Sequence, residues 1–117
     1  EVAFLAISVA NECSYCLAAH SMIADRVSGV PKDTLAEIRE GRPVSDARLR
    51  ALHRLATDIV VTRGHPGAEA LNSFREQGYT EHQVLYLVLA AAVKTLSNYS
   101  NHLFATPVDE RFAAYAV

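Results

Sequence analysis

The stretch that decides the fold is "EVAFLAISVANECSYCLAAHSM", residues 1–22. Val2–Ala10 is apolar nearly all round, as expected of a helix buried on every side. Asn11 is a capping residue type, and it predicts a second helix from about Glu12 to Ser28, stopped by Gly29. Two such helices joined at Asn11–Glu12 form an antiparallel hairpin. Glu1 then lies level with about residue 22, within a turn of His20. Both cysteines of the chain, Cys13 and Cys16, fall near the start of the second helix. Positions i and i+3 share a helix face, so the two sulfurs can meet, and His20 follows on that face four residues after Cys16.

The rest of the chain also reads as helix. Pro31 can open a short third helix that ends at Gly41, before Pro43. Ser45 or Asp46 can cap a fourth, to about Arg63, whose apolar positions Leu49, Leu52, Leu55, Ala56, Ile59 and Val60 recur at three- and four-residue spacings. "GHPG" at 64–67 breaks the chain, and a fifth helix runs to about Gln77 and stops at Gly78. Thr80 with Gln83 has capping-box spacing for a long sixth helix, to about Ala105. "TPVDE" at 106–110 starts a last short helix. No stretch alternates with period two between turn signals, so no sheet is predicted. The expected fold is all-α: one compact domain over residues 1–117, a bundle of six to seven helices with the CxxC at the start of the second. "VLYLVLAAAV", residues 84–93, is too short to span a bilayer and reads as a buried core helix.

Half of the residues are hydrophobic and 21% are charged, which suits a globular domain with a real core. The net charge of −2 and a pI of about 6.2 argue against nucleic acid as partner. Arg39, Arg42, Arg48, Arg50 and Arg54 are interleaved with Glu37, Glu40 and Asp46 and read as solvated helix faces. No leader peptide is visible, and nothing points to a membrane. The sequence opens on Glu1 rather than Met, so residues ahead of it are allowed for. Two close cysteines with no others do not make a secreted disulfide framework. A cytoplasmic redox or metal motif is the better expectation.

Three readings of Cys13, Cys16 and His20 follow from spacing alone. The first is a redox pair. A free thiol has a pKa of about 8.5, which falls to roughly 3.5–7.5 near a helix N-terminus or a basic partner. His20 is placed to take a proton from Cys16, and Glu1 to orient the imidazole. The second is zinc, which needs about four ligands. Cys13, Cys16 and His20 supply three, and His53, His65, His82 or His102 would have to fold back. The third is a pair of buried thiols, which leaves His20 in need of a partner. His53 reads as a partly buried histidine, and His102 as a polar helix end or a pocket wall. Tyr15 and Tyr99 read as core or interface aromatics.

The pattern of Glu1, an apolar helix, Cys13-x-x-Cys16 and then His20 resembles the core motif of the alkylhydroperoxidase D-like branch of the carboxymuconolactone decarboxylase family. "LSNYSNHLFATPVDE", residues 96–110, resembles that family's terminal core helix more loosely. The resemblance implies an all-α homo-oligomer, a trimer or hexamer, and a thiol peroxidase without metal or other cofactor. Carried over by position, Cys16 would attack a hydroperoxide and Cys13 would resolve the sulfenic acid as a disulfide. His20 would draw the proton from Cys16 with Glu1 as relay, and an external dithiol would restore the thiols. Some members carry a His between the cysteines, where Tyr15 stands here. The alternatives within reach are a lactone decarboxylase, the family's other named activity, and a non-catalytic oligomer that senses redox state.

Overall fold

A computed structural model describes all residues, 1–117. The chain is all-helical: α1 Val2–Ala10, α2 Ser14–Arg26, α3 Lys32–Arg39, α4 Ala47–Val61, α5 Ala68–Glu76, α6 Glu81–Leu103, and a closing 3-10 helix Glu110–Tyr115. No strand is present.

α1 is the hub, which explains why it is apolar nearly all round. Its Ala6 and Ile7 join Leu55, Ala56 and Ile59 of α4, Phe74 of α5 and Leu87 of α6 in one core cluster. Its Val2 and Leu5 join Leu17 and Ala24 of α2, Leu35 and Ile38 of α3, and Val44 in a second. A fully buried Leu or Ile stabilises such a core by roughly 1.5–3 kcal/mol. A helix feeding two clusters keeps little face for solvent, and Val9 alone of its residues is exposed.

The helix starts follow local chemistry. Asp46 accepts from the Leu49 amide at 2.8 Å and caps α4. Thr80 and Gln83 form the full capping box at the head of α6. The second helix starts later than its sequence predicts. Asn11 ends α1 instead of capping α2, and Glu12 takes a left-handed φ of 56° to reverse the chain. The N-cap of α2 is Cys13, whose Sγ accepts from the Cys16 amide at 3.3 Å. The last helix also starts later, with Asp109 before its first residue in place of Thr106.

Two further expectations are corrected. Arg39 is not on a solvated face: its Nη1 donates to Ser21 Oγ at 2.6 Å and to the Tyr115 carbonyl at 3.0 Å. It ties α3, α2 and the C-terminal turn together. Residues 84–93 do not form a core helix buried all round. Val84, Leu87 and Ala91 face inward, while Leu85, Tyr86, Val88, Leu89 and Val93 are exposed. An apolar run long enough for several turns does not say which face is inward. Contacts with α1 and α4 decide that.

The C-terminal 3-10 helix lies over α2. Tyr15 donates to Asp109 Oδ2 at 2.5 Å and packs edge-on against Phe112. Tyr115 donates to Asp25 Oδ2 at 2.6 Å. No helix is long and apolar enough to cross a membrane.

Candidate active site

The first wall of the site is the α1–α2 hairpin. The left-handed turn at Glu12 puts both cysteines at the head of α2, and they are joined by a disulfide with their Cα atoms 5.3 Å apart. Both residues are 2% exposed. The hairpin register also brings Glu1 beside His20, with Oε2 at 2.7 Å from Nδ1. The disulfide therefore sits at the turn of the hairpin, and the Glu1–His20 pair lies further along it, one helical turn beyond Cys16.

The second wall is α6, and its contribution is invisible to the spacing of residues 1–20. Lys94, Asn98 and Asn101 stand at i, i+4 and i+7 on one α6 face turned toward α2. Lys94 Nζ lies 2.7 Å from His20 Nε2. Asn101 Nδ2 donates to Cys16 Sγ at 3.3 Å. Asn98, fully buried, accepts from Asn11 Nδ2 at 3.0 Å, which pins the end of α1 to α6. Phe4 floors the site, with its ring 5.1 Å from the His20 ring and 5.8 Å from Lys94 Nζ.

The partners settle the His20 tautomer. An ammonium can only donate, so Nε2 offers its lone pair to Lys94, and Nδ1 carries the proton that it donates to Glu1. Burial pushes the His20 pKa down, the Lys94 charge lowers it further, and Glu1 opposes both. Burial likewise pushes Lys94 down to about 8, with Glu1 as the opposing influence. Both imidazole nitrogens are engaged, and neither bonds to Cys16. The direct His20–Cys16 contact that the helix spacing allows is replaced by two contacts of the ring, one to each side.

Cys13 borders a groove of about 430 Å3 between α1, α2 and α3, lined also by Ser8, Glu12, Leu17, Ile38 and Arg39. Cys16 does not line this groove and is held by Asn101 instead. The Ser8 hydroxyl is buried at this groove without a partner. The other candidates stay apart. His53 is half-buried on α4, where burial alone lowers its pKa. His65, His82 and His102 are exposed, and His102 stacks near Tyr99 away from the disulfide. Nowhere are three or more His, Cys, Asp or Glu side chains grouped to hold a metal ion.

No family model matches this chain, and no curated protein is similar to it.

Proposed function

We propose that the chain is a thiol oxidoreductase that reduces hydroperoxides through Cys13 and Cys16, as a member of the alkylhydroperoxidase D-like branch. The observation that carries this reading is the buried Cys13–Cys16 disulfide backed by the Glu1–His20 pair, with an amide N–H on Cys16 Sγ. A structural staple of a helix head needs no such surroundings. A dithiol that must gain and lose protons does.

In the reduced protein, Cys16 gives up its proton toward His20, and its thiolate attacks one oxygen of the hydroperoxide. The O–O bond breaks, the sulfur is oxidised to a sulfenic acid, and the leaving alkoxide takes a proton and departs as alcohol. The Cys13 thiolate then attacks that sulfur, the S–O bond breaks as the disulfide forms, and the leaving hydroxide takes a proton and departs as water. An external dithiol returns two electrons. The groove beside Cys13 supports entry from that side, with attack on Cys13 Sγ and Cys16 as the leaving thiolate. The Asn101 N–H then meets the new negative charge. A reducing compartment, the cytoplasm, suits this cycle. Assembly as a homo-oligomer, trimer or hexamer, is supported by the exposed apolar side chains of α6.

The test titrates free thiols before and after one equivalent of hydroperoxide. Two thiols falling to none, with alcohol formed, are expected, and saturable peroxide consumption should vanish in both Cys13→Ser and Cys16→Ser. Turnover of a lactone that survives both substitutions would favour the decarboxylase reading instead. A disulfide that forms without turnover would favour a redox sensor.

A further inference from the structure

Lys94 has no role in the cycle as described so far. It is 4% exposed on a helix whose opposite face is apolar and solvated. Burying a cation costs several kcal/mol unless its partners repay it. Here the close polar partner is the His20 Nε2 atom at 2.7 Å. A lysine placed only for packing would extend its charge to water.

We propose that Lys94 is a positioning residue that gates His20: protonated, it holds the Nε2 lone pair away from Cys16, and deprotonated, it releases that lone pair to take the Cys16 proton. The inference rests on the dithiol reading of the site. The charged groups that set the field at this pair are few. The head of α1 contributes the Glu1 carboxylate, α2 contributes His20, and α6 contributes Lys94 itself. α4, packed against α6, adds none to either group. The proton passes from Cys16 to His20 Nε2 and on to Lys94, while Glu1 holds Nδ1–H. With Lys94 as ammonium, Nε2 accepts from it and is spent. Once that proton has left to solvent, Nε2 can accept the thiol proton, and the neutral amine can accept it in turn from Nε2–H. Lys94 titrates at about 8, so the gate works within the range of a cell.

A Cys13→Ser background leaves Cys16 as the sole thiol. Its alkylation rate by iodoacetamide is followed across neutral and alkaline pH in three forms. With Lys94 intact, the rate should step up near the Lys94 titration, about pH 8. In Lys94→Arg the charge persists at every pH, so the step tied to Lys94 should be lost and only the rise from Cys16's own ionisation should remain, displaced from that of the intact lysine. In Lys94→Met the lone pair is always free, so alkylation should already be fast at neutral pH. The His20 ring titration, read by NMR, should move up in Lys94→Met, because a close positive charge has gone. If Lys94→Met does not fold, Lys94→Arg alone decides. Superimposable profiles would overturn the proposal. So would a Lys94→Met rate below that of the intact lysine at every pH, which would make Lys94 an electrostatic anchor for the thiolate. These readouts need no peroxide: separated profiles without peroxide consumption would keep the gate and remove the peroxidase.

Discussion

α4 and α6 pack against the same hub helix and are built in opposite ways. α4 turns Ala51, Leu55, Ala56 and Ile59 inward and leaves Arg48 and Arg54 in water. α6 also turns Leu87 inward, but it exposes Leu85, Tyr86 and Leu89 from its first turns. Its second half buries Lys94 and Asn98 and exposes Leu96, Tyr99, Leu103 and Phe104. The difference teaches that one helix holds the fold and the other is shaped by demands outside it. Polar groups turned inward meet His20, Asn11 and Cys16, and apolar groups turned outward face solvent.

The comparison can be broken most directly at its conventional side. Leu55→Ala, at a fully buried position, should cost about 2–5 kcal/mol in urea unfolding. Lys94→Met should act less strongly: it removes the cost of burying a charge but leaves His20 Nε2 without its partner, so the melting temperature should move less than in Leu55→Ala. The pH dependence sharpens this. Lys94 sits at about 8 when folded against an ordinary 10.5. Between those values the unfolded chain binds the extra proton, so the stability of the native sequence should rise with pH there. That slope should be absent in Lys94→Met. Thr80→Ala removes half of the capping box from α6 and should cost about 1 kcal/mol in thermal melts. The smallest effect belongs to the outer face. Leu96→Ala should lie within about 0.5 kcal/mol in a dilute monomer. If it costs as much as Leu55→Ala, a second surface covers α6, and light scattering on Leu96→Asp should show a smaller species than the parent.

What was legible in the sequence was local. Thr80 with Gln83, Asp46 before Leu49, and the apolar spacing from Leu49 to Val60 each act within a turn or two, and each marks an element the structure contains. The Glu1–His20 contact was also legible, because a hairpin with a short turn has one natural register. Lys94 was not. It closes an apolar run and resembles a side chain reaching for water, and its partner is 74 positions earlier. Asn101 and Cys16 are 85 apart. No short-range pattern encodes where two such helices cross. One signal was present: polar residues at 94, 98 and 101 share a face while leucines at 85, 89, 96 and 103 fall elsewhere. A polar stripe on an apolar helix marks either water or a buried site. Arg39 was misread for the same reason, since its anchor is the C-terminal Tyr115 carbonyl.

The left-handed turn at Glu12 has a consequence for the order in which the site comes into being. The hairpin holding Glu1, both cysteines and His20 leaves the ribosome before α6, and a chain folds from its N-terminal side as it is made. Asn101 follows Cys16 by 85 residues, so the thiols are born before the wall that covers them. Nascent chains arrested before residue 81 should lose both cysteines to a thiol-blocking reagent within moments, and chains released at full length should resist it.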